Sequence, residues 1–162
     1  MLSSPTPSAA GLLSVLFLMT LPLFGQTQPH TIQWLTFEQL EDSLSVEPKK
    51  VFIDFYTDWC RYCRKMDREV FTRPEVINLL NEEYYAVRLD AETEDTISFG
   101  GRQFINDQLG KSRRPLHQLA QLLALRKGQF VAPTLVMLDE EFRVTSRYFT
   151  YLDSKRLIRA LE

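Results

Sequence analysis

The chain is poor in the side chains that build metal centres: two cysteines and two histidines in 162 residues. A structural zinc site takes four ligands, so Cys60 and Cys63 would have to recruit both His30 and His117. An excess of charge of one sign is also lacking. Nineteen Lys and Arg face 21 Asp and Glu, for a formal net charge of −2, and the cations are spread along the sequence. Without a basic stripe no nucleic-acid surface is expected. Pro and Gly are too few to signal disorder, and no repeat or low-complexity segment occurs. The length suits one domain with a real core and little more.

The sharpest absence is local. Met1 to Phe37 contains no Lys, Arg, Asp or Glu. Within it, residues 9–24 form an apolar run near signal-peptide length, followed by Gly25, Gln26 and a polar stretch. The expected division is a signal peptide over 1–25 and a folded domain over 26–162. The competing reading is an uncleaved N-terminal anchor, which usually takes about 20 apolar residues. Pro22 and the shortness of the run favour the signal, whereas the lack of Lys or Arg ahead of it does not. The run holds no cysteine, which excludes a lipid-modified cysteine anchor. A buried helix is disfavoured because no polar face alternates with the apolar one. An exported domain would work in an oxidising compartment.

Beyond residue 30 the pattern becomes that of an α/β domain. Thr36 and Gln39 form a capping-box pattern ahead of Phe37, Leu40 and Leu44. Val51 to Tyr56 is a near-continuous apolar run, expected for a strand covered on both faces. Cys63, Met66 and Val70 then recur at helical spacing. Thr72-Arg73-Pro74-Glu75 reads as a second capping pattern with an early Pro. Tyr84 to Asp90 is the next strand. Residues 91–114 are polar and unassigned apart from a turn at Phe99-Gly100-Gly101. Pro115 to Lys127 is predicted as one helix with Gly128 at its C-cap. Strands follow at Thr134–Leu138 and Arg143–Phe149, and Asp153 caps a last helix through Leu157, Ile158 and Leu161.

The chemistry gathers in Asp54-Phe55-Tyr56-Thr57-Asp58-Trp59-Cys60-Arg61-Tyr62-Cys63. A Cys-X-X-Cys pair opening a helix puts the first sulfur where unpaired N–H groups and the helix dipole favour a thiolate. The second thiol lies one turn on, within reach of a mixed disulfide. Cys60 is thus the expected nucleophile and Cys63 the resolving thiol, with Arg61, Arg64 and Lys65 lowering the Cys60 pKa further. Three plainer readings compete: a structural disulfide, which stabilises little over so short a loop, the zinc site, and two unrelated thiols. Asp54 sits in an apolar strand, where burial should raise its pKa and suit it to take the Cys63 proton. Its alternatives are a sheet edge or a pairing with a cation such as Arg88. Ala132-Pro133-Thr134 marks a strand start or a cis turn, and from residues alone the trans strand start is the more ordinary reading.

These residues together resemble the thioredoxin-like proteins. The segment from Asp54 to Cys63 looks like their active-site segment, and Ala132-Pro133-Thr134 like their cis-proline loop. Val70-Phe71-Thr72-Arg73-Pro74-Glu75-Val76 is similar to the C-terminal domain of DsbD and to exported bacterial relatives, over roughly Val46 to Glu162. The resemblance implies a thioredoxin fold: a central mixed β-sheet flanked by helices, with an extended segment over residues 91–130 before the cis-proline loop. It implies catalysis by Cys60, Cys63 and Asp54 through a Cys60–Cys63 disulfide, and a substrate surface of Trp59, Ala132, Pro133 and Thr134. Arg61 and Tyr62 would tune the redox potential, and Arg88 stands where many thioredoxins have Lys. His117 reads as structural or surface. No cofactor and no metal is implied. The implied partners are protein disulfides and an upstream thiol electron donor, with no nucleic acid, and the chain a monomer. The location is periplasmic or secreted, or membrane-anchored facing the periplasm if the N-terminal segment is uncleaved. The rivals are a disulfide oxidase or isomerase on the same fold, and a copper-binding module using Cys60, Cys63 and a histidine.

Overall fold

The computed structural model describes Met1 and residues 30–162. The expected signal peptide or anchor therefore lies outside the described residues. Among those described, no helix is long and apolar enough to cross a membrane.

A short strand β1 (Trp34–Leu35) leads into helix α1 (Phe37–Val46), which begins at Thr36 with a complete capping box: Thr36 Oγ1 accepts the Gln39 N–H and Gln39 Oε1 accepts the Thr36 N–H. Strand β2 (Lys50–Tyr56), helix α2 (Arg61–Glu69), helix α3 (Pro74–Glu83) and strand β3 (Tyr84–Asp90) follow. Next come a hairpin of β4 (Ile97–Phe99) and β5 (Arg102–Phe104), helix α4 (Gln118–Leu123), and a second hairpin of β6 (Leu125–Arg126) and β7 (Gln129–Phe130). Strands β8 (Thr134–Leu138) and β9 (Val144–Tyr148) and helix α5 (Ser154–Leu161) complete the chain.

The main sheet runs β1-β3-β2-β8-β9. β1, β3 and β2 are parallel, and β8 and β9 join antiparallel, so the sheet is mixed as expected. Alternation along β2 divides its side chains between two layers. Val51, Ile53 and Phe55 join Phe37 and Leu40 of α1 and Leu119 of α4 on one face. Phe52 joins Met66 of α2, Ile77 and Leu80 of α3 and Leu157 of α5 on the other. By the same alternation Asp54 shares the face of Phe52. It stands between Arg88 of β3 and Leu135 of β8 in the register, under the layer that contains α2.

Three local expectations are corrected. The helix predicted over Pro115–Lys127 is only α4. Pro115 and Leu116 precede it, and the buried His117 is its N-cap. Gly128 is not a C-cap. With Lys127 it makes the turn of the β6–β7 hairpin, both residues having positive φ (50° and 79°), the backbone a two-residue hairpin loop demands. Thr72 does not cap α3. Its hydroxyl donates to Arg68 O at the end of α2, and α3 starts from Arg73 with no side-chain cap but with Pro74 in its first turn.

Candidate active site

β2 ends at Tyr56, and the turn over residues 57–59 closes with the Cys60 N–H on Thr57 O. Cys60 is the N-cap of α2, and its Sγ accepts the Cys63 N–H at 3.0 Å. A sulfur thus occupies the place an Asp or Ser oxygen usually takes. The two cysteines form a disulfide with Cα atoms 5.3 Å apart, and both are buried. The first turn of α2 carries no acidic residue, while Arg61, Arg64 and Lys65 are cationic. When the bond opens, a charge on the Cys60 sulfur would meet the Cys63 N–H and the positive end of the helix; the cations point to other partners, Arg61 to the Tyr62 ring, Arg64 to Asp58 O and Lys65 to Glu69.

Beneath this turn, Asp54 is 1% exposed. Its Oδ2 lies 3.1 Å from Arg88 Nε, but off the line of a hydrogen bond, and neither carboxyl oxygen has a well-directed donor. Arg88 also reaches Asp67 of α2, with Nη2 2.7 Å from Oδ1, and its guanidinium lies over the Tyr56 ring at 4.4 Å. Burial pushes the Asp54 carboxyl up to about 7; Arg88 opposes that rise and the nearby Asp67 adds to it. Desolvation of the carboxylate therefore outweighs a single adjacent cation. Asp67 is four residues beyond Cys63, on the same side of α2 one turn along. The chain Asp54–Arg88–Asp67 consequently ties β2, β3 and α2 together below the dithiol.

Trp59 is 46% exposed beside the disulfide. Glu92 holds its Nε1–H, with both carboxylate oxygens at 3.1 Å, and the Arg114 guanidinium lies 4.0 Å from its ring centroid. Between the cysteines in sequence, Tyr62 is 47% exposed. Arg61 lies over its ring at 5.0 Å, and Tyr151 is 6.2 Å away. The Ala132–Pro133 bond is cis, the reading taken from the resemblance and not the more ordinary one. Thr134 pairs with Phe55 across β2 and β8, so Pro133 and Ala132 lie at the end of the sheet that leads into the cysteine turn. Thr134 Oγ1 donates to Val131 O at 2.6 Å.

His117 lies apart from any cysteine function. It is fully buried, Nε2 donates to Phe104 O, and Nδ1 accepts the Leu119 N–H. Burial lowers its pKa, and both ring nitrogens are engaged within the fold. Among the described residues no group of three or more His, Cys, Asp or Glu is placed to hold a metal ion. Asp67, Glu92 and Arg114 were not singled out by sequence reasoning. The i+4 spacing from Cys63 was a usable signal for Asp67; for Glu92 and Arg114, in the unassigned segment, there was none.

A family model described as a thioredoxin-like domain matches residues 38–162. Over 52 residues, 32% of the chain, the sequence is 36% identical to the thiol:disulfide interchange protein DsbD 2 of Pseudomonas aeruginosa, and it spans 9% of that relative's length. Among solved structures it is similar to a DsbH oxidoreductase, at 17% identity and a TM-score of 0.56, covering 94% of this chain and 92% of that one. It is also similar to the oxidised C-terminal domain of DsbD from Neisseria meningitidis, at 19% identity and a TM-score of 0.51, covering 76% and 87%. At such identities these structural likenesses speak for the fold.

Proposed function

The chain belongs to the thioredoxin-like domain family and carries the Cys-X-X-Cys disulfide of a thiol–disulfide oxidoreductase; on that premise we propose that it reduces disulfides in other proteins outside the cytoplasm. The observation that carries this reading is the Cys60 sulfur at the N-cap of α2, disulfide-bonded to Cys63. In the reduced protein the Cys60 thiolate attacks one sulfur of a client disulfide. The client S–S bond breaks, a client thiolate leaves, and a mixed disulfide forms. Cys63 then gives its proton to Asp54 and attacks the Cys60 sulfur, releasing the second client thiolate, which takes up the proton. Two electrons have passed to the client, and an upstream thiol donor restores the dithiol.

In this reading Trp59 and Tyr62 border the approach to the sulfurs, and Ala132, Pro133 and Thr134 form the backbone ledge beside them. Arg61 and Tyr62 tune the potential. The buried acid supports the reducing direction, because it assists release of reduced product. The DsbD relative and the apolar run over residues 9–24 support export, to the periplasm of a bacterium or beyond it.

The potential decides direction. We expect equilibrium titration of the dithiol against glutathione to place it near the thioredoxin value of about −270 mV; a value near the DsbA figure of about −120 mV overturns the reductase reading. Cys60→Ser is expected to abolish reduction of insulin disulfides and Cys63→Ser to accumulate mixed disulfides. Full activity in both variants sinks the mechanism.

A further inference from the structure

The segment between β5 and α4 does more than connect them. Arg114 comes from this segment, yet its guanidinium covers the face of Trp59, the residue preceding Cys60. The segment therefore forms one wall of the disulfide mouth. Lys111, Arg113 and Arg114 are exposed on it, and on α2 Arg61 and Arg64 are exposed, with Lys65 half-buried beside them. Six of the 19 Lys and Arg of a net-negative chain thus lie on two stretches, one of which reaches the residue preceding Cys60 through Arg114.

Most of these cations are not held in ion pairs. Of the six, only Lys65 has a carboxylate partner among the described residues, Glu69 at 3.7 Å. Arg64 donates to the backbone oxygen of Asp58, and Lys111 to that of Asp107. The acidic groups nearby are Asp58, which is exposed, the half-buried Asp90, which accepts the Glu92 N–H, Glu92, occupied by Trp59, and Asp107, which accepts from Gln121. Exposed aromatics are interleaved with the cations: Trp59 under Arg114, and Tyr62 under Arg61 beside Tyr151.

We propose that the disulfide mouth, walled by Arg61, Arg64 and Lys65 of α2 and by Lys111, Arg113 and Arg114 of the 105–117 segment, selects clients whose disulfide is flanked by acidic residues. The inference rests on the reductase reading and adds a substrate class to it. Cations on these two stretches attract an acidic segment and steer its encounter, so the effect appears mainly in the association rate and is screened by salt. The aromatic rings supply a rigid floor for the chain on either side of the reacting sulfurs.

The test uses the reduced full chain and two peptides, each with one disulfide, identical except that Glu flanks the cysteines in one and Lys in the other. Rates are referred to that of the uncharged hydroxyethyl disulfide. At low salt the Glu peptide is expected to react at least about tenfold faster than the Lys peptide, with the gap closing at high salt. In the double variant Arg113→Glu/Arg114→Glu the Glu peptide should slow and the Lys peptide quicken, a crossed change that misfolding does not produce. Equal rates for the two peptides overturn the inference and leave the reductase reading standing. A selectivity unchanged in the variant overturns the part assigned to the 105–117 segment. Failure to reduce hydroxyethyl disulfide overturns the reductase reading itself.

Discussion

Two arginines in this protein each stand between two carboxylates, at nearly the same distances, with opposite consequences. Arg88 lies 3.1 Å from Asp54 and 2.7 Å from Asp67, under the cysteine helix. Arg143 lies 2.9 Å from Asp139 and 2.8 Å from Glu141, in the turn between β8 and β9. Asp54 is pushed up to about 7. Asp139 is held below the ordinary carboxylate range, first by the backbone N–H of Arg143 and then by its side chain. Separation cannot explain the difference. Asp139 keeps water and gains directed donors, whereas Asp54 loses water and faces its cation without a well-directed hydrogen bond. In the interior, a charge at contact distance does not repay the lost hydration.

The largest expected effect follows from removing the buried acid. Asp54 ionises near pH 3.8 in the unfolded chain and near 7 in the folded one, so the folded state holds the proton longer. Stability is therefore lost as pH rises from about 4 to 7 and stays reduced above that. A rise of that size corresponds to a cost on the order of 4 kcal/mol. Asp54→Asn should accordingly stabilise the oxidised protein by about that amount at pH 8. The gain should fade as pH drops towards 4. Urea unfolding at the two pH values measures this, and an equal difference at both would show that Asp54 is not destabilised by burial.

The same substitution should cost activity where it gains stability. With Asp54 present, resolution of the mixed disulfide by Cys63 should rise with pH to a plateau above about 7, since only the ionised acid accepts the thiol proton. Asp54→Asn should slow that step about a hundredfold at neutral pH and move its rise towards the ordinary thiol range near 8.5. Rapid-quench kinetics on a preformed mixed disulfide would separate this step from the first attack. An unaltered pH profile removes Asp54 from the mechanism.

The neighbours of Arg88 should produce smaller changes of predictable sign. Asp67→Asn removes a negative charge that raises the Asp54 pKa and frees Arg88 for Asp54 alone, so the pH midpoint should fall below 7. Arg88→Gln should move it up. Asp67 is partly open to water, which keeps its effect below about 1 kcal/mol. Carboxyl carbon chemical shifts followed against pH report both midpoints, and movement of both in one direction contradicts the assigned geometry.

The β2–α2 unit was legible because several local signals agreed there: an apolar run, one misplaced acid, and two cysteines at a helix start. The capping signals carried information in the same way at Thr36 and Asp153, but not at Thr72, whose hydroxyl turns back to Arg68 O. The helix over Pro115–Lys127 failed because apolar spacing through Leu116, Leu119 and Leu123 fits a longer helix. The Lys127-Gly128 turn was local but was masked by that longer pattern, and only the bond from His117 to Phe104 O reaches beyond its own segment. Glu92 and Arg114 were invisible for a related reason. Their meaning comes from Trp59, far off in sequence, and no periodicity within residues 91–114 records that meeting. The partners of Arg88 were half legible: Asp54 as a pairing already open in the sequence, Asp67 only through its spacing from Cys63.

The exposed counterpart supplies the smallest expected effect and the sharpest control. Arg143→Gln leaves Asp139 Oδ1 accepting the backbone N–H groups of Glu141 and Arg143, and the Arg143 N–H is the leading cause of its lowered pKa. Asp139 should therefore remain below the ordinary carboxylate range, with only a small upward drift. What stability it contributes is present above that range and is lost as pH falls through its lowered folded-state value, far from neutrality. The urea midpoint at pH 7 should not move measurably, because an exposed ion pair is solvated and screened whether or not it is made. Arg88→Gln, by contrast, alters a titration centred near 7. Were Arg143→Gln to shift the neutral-pH midpoint as far as Arg88→Gln does, contact distance and not burial would be setting the strength of both arrangements, and the role given to burial at Asp54 would fall with it.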